Sequence, residues 1–163
     1  MKLMVIGGGG REHAIIKKLK ENPAVEKIYC LPGNGGIAAD AVCVPEIGAK
    51  DIPAQVDFAK NHSIDFAVVA PDDPLVLGAV DALEAAGIPC FGPEAKAAII
   101  EGSKVFSKDL MKKYGIPTAG YETFDDPAKV MDYIRSKGKY PVVIKADGLA
   151  LGKGVLICQN EQE

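Results

Sequence analysis

The feature that most constrains this chain is a rhythm over its first ninety residues, in which short apolar runs without internal alternation are each followed by a longer amphipathic stretch. KLMVI (2–6), KIYCL (27–31), AVCV (41–44), DFAVVA (65–70) and the run 88–91 read as strands. Between them, 11–21 carries Ile15, Ile16 and Leu19 on one side of a helix. Asp51 can cap a second helix, with Ile52, Val56 and Ala59 at i, i+4, i+7 spacing, that ends near Asn61. A third runs from Leu75 to about Ala86 and stops at Gly87. Strands without polar alternation are covered on both faces, and a repeated strand-helix order implies parallel strands joined by right-handed crossovers. The fold class is therefore α/β, a doubly wound, Rossmann-like parallel sheet over 1–93. Ligands of such sheets bind beyond the carboxyl ends of the strands. Three loops rich in turn-formers would meet there: GGGG (7–10), PGNGG (32–36) and PDDP (71–74).

From residue 94 the pattern changes. The stretch 94–117 is nearly all helical, split by Gly102, and its second half sets Phe106, Leu110 and Tyr114 on one face before Gly115. A strand over 118–124, a helix over 127–137 with Val130, Tyr133 and Ile134 inward, and a strand over 141–145 follow. The glycine cluster ADGLALGKG (146–154) then leads into VLIC (155–158), so it joins two strands as a flap. A unit two or three strands wide over 118–163 is too small to be a complete domain, and the sequence reads as a fragment of something longer.

A formal charge of −3 with scattered Lys and Glu leaves no basic stripe of the kind nucleic acid requires. No apolar window approaches the length of a membrane span, and the first run is too short for a secretory leader. A cytoplasmic protein with neither nucleic acid nor membrane as partner is the expectation. The four cysteines, Cys30, Cys43, Cys90 and Cys158, form no C-x-x-C pair and sit in or beside apolar runs, as buried free thiols do.

A strand, then glycines, then a helix N-terminus is an anion site in physical terms, because unpaired first-turn N–H groups and the helix dipole both favour negative charge. The dinucleotide fingerprint G-x-G-x-x-G nevertheless fails. Its third glycine position holds Glu12 counted from Gly7, or His13 counted from Gly8, and no acid closes the second strand, which ends Leu31-Pro32-Gly33. A smaller phosphorylated ligand, with Arg11 near the anion, or a plain tight turn remains, and Glu12 and His13 read equally well as ordinary first-turn residues. The later cluster fails as a phosphate loop of the G-x-x-x-x-G-K-[ST] type, since Asp147 replaces the first glycine and Gly154 the hydroxyl residue. It leaves a flap carrying Lys153, preceded by Lys145 on a strand expected to be buried, where a lysine is costly unless it meets an anion. Lys104 stands among Lys96, Lys108 and Lys112 on an amphipathic helix, where a solvated lysine is the commoner case. Asp147 reads as a turn cap.

Taken in order and spacing, GGGGREHA, PGNGG, APDDPLVLG, GPEAKAAIIEGSKVFSKDLMKKYGIPTA and PVVIKADGLALGKGV closely resemble the phosphoribosylamine-glycine ligase (glycinamide ribonucleotide synthetase) family of ATP-grasp enzymes in purine biosynthesis. The resemblance implies a pre-ATP-grasp domain followed by the beginning of an ATP-grasp domain, and a ligation of 5-phosphoribosylamine to glycine with ATP split to ADP and phosphate through a glycyl phosphate. It implies that Gly8, Gly9, Gly10, Arg11, Pro32, Gly33, Asn34 and Asp72 lie at the phosphoribosyl substrate. Lys104, Lys145, Gly148, Gly152, Lys153 and Gly154 would contact ATP. Mg²⁺ or Mn²⁺ would be held by residues beyond 163, so that neither metal ligands nor a catalytic residue belong to this stretch and it does not turn over alone. Two departures stand out: Ala70-Pro71-Asp72 where the family has G-P-E, one methylene shorter, and Gly35-Gly36-Ile37 where Ala-Gly-Thr is common. A related carboxylate-amine ligase and a non-catalytic sugar-phosphate-binding module are the competing readings.

Overall fold

The lack of alternation in the first strands has its cause in two separate cores, one on each face of a single sheet. In this computed structural model, which describes residues 1–150 and 153–163, the chain divides into two units, Met1–Ile99 and Ile100–Glu163. The first unit is built from β1 (Lys2–Gly7), α1 (Gly10–Leu19), β2 (Lys27–Pro32), β3 (Val42–Cys43), α2 (Ile52–Asn61), β4 (Phe66–Val69), α3 (Asp72–Val76), α4 (Ala79–Ala85) and β5 (Cys90–Phe91), with a 3-10 turn at Ile37–Ala39 and the start of α5 (Ala95–Gly102). The five strands pair in parallel in the order β3-β2-β1-β4-β5. Along β1, Met4 and Ile6 point to a core completed by Phe58 and Ala59 of α2 and Val80 and Leu83 of α4. Leu3 and Val5 point to the other face, which Ile16 of α1 and Ile37 close. Both faces are apolar, so no polar residue interrupts the run, as the doubly wound reading requires.

Several local signals act as anticipated. Asp51 accepts a hydrogen bond from Ala54 N at 3.2 Å and caps α2, which ends at Asn61. Gln55, fully buried, donates to the carbonyls of Gly48 and Ala49 at 2.9 Å each, fixing the loop that enters α2. The helix expected from Leu75 to Ala86 is in fact two, α3 and α4, because Gly78 adopts φ +87° and breaks the turn between them.

The second unit contains the end of α5, α6 (Lys104–Lys113), α7 (Pro127–Lys137), β6 (Val142–Lys145) and β7 (Val155–Cys158). The break at Gly102 and the capped starts of α6 and α7, by Ser103 and Asp126, follow the sequence. No strand forms over 118–124, which is extended without a ladder partner; Thr118 and Tyr121 are tied instead to Lys108 and Asp109 of α6. Ile134 is the buried residue of α7, with Val130 and Tyr133 half-buried. β6 and β7 pair antiparallel, from Val142 opposite Cys158 to Lys145 opposite Val155. Among the described residues no helix is long and apolar enough to cross a membrane.

Candidate functional site

Strands β1, β2 and β4 are neighbours and parallel, so their carboxyl ends deliver the 7–10, 32–36 and 71–74 loops to one edge of the sheet. The strand order reverses between β1 and β4, and ligands of doubly wound sheets bind at that reversal. The first two loops interlock. Gly33 N donates to Gly7 O at 3.1 Å, and the Asn34 side-chain amide donates to Gly8 O at 2.7 Å while its oxygen accepts from Ile37 N at 2.9 Å. A Cβ on Gly8 would lie 2.7 Å from the Gly33 carbonyl oxygen, so the close approach itself demands glycine. Gly33 adopts φ +74° with Cys43 packed against it, and Pro32 ends β2 opposite Gly7 after a cis Leu31–Pro32 bond.

Gly9 is the N-cap of α1 and provides no side-chain acceptor for the first-turn N–H groups of Gly10 and the residues after it. Glu12 folds back instead: its carboxylate, 3% exposed, accepts from Gly9 N at 2.6 Å and from Arg11 Nε at 3.2 Å. Arg11 also lies 3.7 Å from Asp72, so the expected cation at the anion site is shared between two carboxylates and joins the first loop to the third. Asp73 pairs with Lys50 at 2.5 Å. Beside Arg11 opens a cleft of about 570 Å³ walled by Ile15, Leu75, Cys90, Phe91 and Pro93.

Three contributors are not evident from the sequence. Glu12 stands three residues after the cap, the spacing of a capping box, which is the one signal that could have singled it out. His13 Nε2 lies 2.8 Å from Asp40, twenty-seven residues away, and no local pattern announces that pair. Cys30 and Cys43 face each other across β2 and β3 and donate to Gly7 O at 3.2 Å and Asn34 O at 3.4 Å, anchoring both loops from below. Burial pushes the Cys30 thiol up to about 12, with Cys43 and Glu12 adding to the shift, so it stays a donor. Burial likewise takes Cys90 to about 11. All four thiols are free; Cys30 and Cys158 are buried as expected, whereas Cys43 and Cys90 are only half-buried.

In the second unit the flap meets the start of α6. Asp147 accepts from Lys104 N at 2.7 Å, Val105 N at 3.2 Å and Ser103 Oγ at 3.1 Å, and Lys104 Nζ donates to Gly148 O at 2.6 Å. The Val105 N–H, followed by Ser103 and Lys104, holds the Asp147 carboxyl below its ordinary value. Asp147 thus caps a helix more than forty residues upstream as well as standing at its own turn. Ala146 N donates to Gly154 O at 2.8 Å and closes the flap's neck. Gly152 lies outside the described residues. Lys153 is exposed, and so is Lys145, against expectation. In a two-stranded antiparallel ladder the faces alternate, so Val142 and Ile144 are half-buried while Val143 and Lys145 face outward. Lys145 is therefore an exposed lysine, and no buried charge on β6 calls for an anion. Among the described residues no group of three or more His, Cys, Asp or Glu is placed to hold a metal ion.

Comparison with known proteins gives these loops a family. The model of the phosphoribosylglycinamide synthetase N domain matches residues 1–101, and that of the phosphoribosylglycinamide synthetase ATP-grasp (A) domain matches 102–163. The phosphoribosylamine–glycine ligase of Listeria monocytogenes serotype 4b is 52% identical over all of this chain, which covers 39% of that protein. The crystal structure of phosphoribosylamine–glycine ligase from Thermotoga maritima superposes with a TM-score of 0.75 at 34% identity, over 99% of this chain and 37% of that one. The biotin carboxylase domain of Hydrogenobacter thermophilus 2-oxoglutarate carboxylase, solved with MgADP, shares the fold at TM-score 0.79 and 22% identity over 99% of this chain and 38% of that one. The chain thus spans well under half the length of the relatives it matches. With one family's N-domain model and its ATP-grasp (A) domain model together matching residues 1–163, the chain belongs to the phosphoribosylglycinamide synthetase family.

Proposed function

We propose that this chain is the amino-terminal part of an ATP-dependent ligase that joins 5-phosphoribosylamine to glycine, giving glycinamide ribonucleotide, ADP and phosphate. The observation that carries the reading is the glycine-capped start of α1, flanked by Asn34 on one side and by the Arg11–Asp72 pair on the other, at the reversal point of the sheet. Phosphoribosylamine has a dianion at one end and hydroxyls and an amine at the other. Backbone donors of Gly8 and Gly10 and the second N–H of the Asn34 amide suit the first, with Gly9, whose own N–H is taken by Glu12, leaving the approach bare of side chain and Pro32 and Gly33 shaping the floor. Asp72, held by Arg11, suits the second. In this reading 1–93 is the substrate domain, 94–117 a helical connection and 118–163 the first portion of the nucleotide-clasping module.

ATP is assigned to Lys104, Lys145, Gly148, Gly152, Lys153 and Gly154, where glycines let phosphates reach the backbone and the lysines supply charge. A divalent ion, Mg²⁺ or Mn²⁺, would neutralise charge on the transferring phosphoryl group. We place its ligands beyond residue 163. The chain alone is accordingly proposed to be inactive, with no ATP- and glycine-dependent phosphate release above a blank.

Thermal-shift titration tests the reading. Ribose 5-phosphate should raise the melting temperature, whereas ribose and ATP at equal concentration should leave it nearly unchanged. Equal shifts with ribose and ribose 5-phosphate would contradict a phosphate-anchored site, and a large ATP shift would contradict the division of ligands between the loops.

A further inference from the structure

His13 takes no part in the reading above, yet its ring lies along the turn that follows Asn34 and is tied to the far end of it. The 3-10 turn Ile37–Ala39 runs from Gly36 to Asp40. At its far end Asp40 accepts from His13 Nε2 at 2.8 Å and from Lys20 Nζ at 2.8 Å. Because a carboxylate only accepts, Nε2 carries the proton and the opposite edge of the ring is fixed in orientation. That edge faces the near end of the turn across a space that one methyl group would fill: a Cβ added to Gly36 would sit 3.6 Å from both Nδ1 and Cε1 of His13, and 3.2 Å from Asn34 Oδ1. The side chains of His13 and Asp40 are only 26% and 20% exposed, so the pair is partly shielded from solvent.

We infer that His13, anchored by Asp40, is a positioning residue that braces the 34–40 turn from α1 and thereby holds the Asn34 amide at the sugar-phosphate site. The inference rests on the sugar-phosphate reading for its consequence, although the brace itself is a property of the free chain. Without the imidazole Asp40 keeps only its tie to Lys20 at the end of α1, the turn is held less closely at its far end, and the Asn34 to Gly8 bond of 2.7 Å is the contact that suffers.

The test uses the intact chain. Calorimetric affinity for ribose 5-phosphate should fall about tenfold in His13→Ala, the size of one charge-assisted hydrogen bond, and recover to within about threefold in His13→Gln, whose amide N–H replaces Nε2–H. Asp40→Ala should reproduce the loss and Asp40→Asn, which keeps an acceptor, should reverse it. In the ligand-free chain the Asn34 side-chain amide resonance should move in His13→Ala and return in His13→Gln. Unchanged affinity in both alanine variants, or glutamine and asparagine variants as weak as the alanines, overturns the inference. If the unsubstituted chain does not bind ribose 5-phosphate, the sugar-phosphate reading falls, and the Asn34 resonance alone still decides the brace: unmoved in His13→Ala and in Asp40→Ala, it overturns that too.

Discussion

A methyl group on Gly8 has no room. Its carbon would lie 2.7 Å from the Gly33 carbonyl oxygen and 3.3 Å from the Gly33 carbonyl carbon, both backbone atoms that cannot rotate aside. Ordinary contact begins near 3.4 Å, so the two loops must part by about 0.7 Å (3.4 less 2.7). They are tied by Gly33 N to Gly7 O and by Asn34 to Gly8 O, and Cys43 blocks Gly33 from retreating. Overpacking of this kind costs roughly 1–3 kcal/mol, which for a unit of this size lowers the melting temperature by roughly 5–15 °C. A displacement of that order at a ligand-positioning loop weakens binding by roughly 10- to 100-fold. Gly10→Ala is the internal control for stability alone, since nothing lies within 4 Å of its added Cβ, whereas its place at the proposed phosphate site leaves binding to be judged against the unsubstituted chain. Calorimetric melting and ribose 5-phosphate titration of Gly8→Ala and Gly10→Ala measure both effects. If the two variants melt within a degree or two of each other, the close approach of the first two loops is not what Gly8 serves.

Asp147→Ala should remove the second of the two caps of α6, the acceptor of Lys104 N and Val105 N, while Ser103 still accepts from Phe106 N, at a cost of about 1 kcal/mol. Because the folded carboxyl lies below its unfolded value, the cap is fully present above about pH 4 and is lost as pH falls through the folded value; hydrogen exchange at the Lys104 and Val105 amides follows it. At pH 8 alkylation should leave Cys30 unmodified in the folded chain and label it only after denaturation, by peptide mass. The same raised thiol means that its contribution is intact below the unfolded value of about 8.5 and declines as pH rises from there toward 12. Gln55→Ala should lower stability by about 1 kcal/mol by stripping the Gly48 and Ala49 carbonyls of their shared donor, read by denaturant unfolding.

Much of the first unit is legible in the sequence because its signals are local. Five apolar runs, an Asp51 cap and three turn-rich loops are each visible within a few residues, and parallel pairing follows from their order. The α3–α4 break escaped because Val76 and Leu77 continue a helical apolar pattern across Gly78. The 118–124 stretch has strand-like composition, but a strand needs a ladder partner and this one finds side-chain contacts on α6 instead. Lys145 departs from expectation for the same reason: VVIK has the composition of a buried run, but its neighbour is a single antiparallel strand. At the site, the glycines and Asn34 could be named from spacing, whereas the Glu12 fold-back, the His13–Asp40 pair and the two thiol anchors depend on side chains meeting across the sheet.

In the proposed function one sugar phosphate binds at the start of α1 between the 7–10 and 32–36 loops. Amide NMR of the ¹⁵N-labelled chain titrated with ribose 5-phosphate tests it residue by residue. Saturable shifts concentrated at 8–12 and at the Asn34 side chain, absent with ribose, are the predicted result. Shifts centred on the 146–154 flap, or none that saturate, would contradict it.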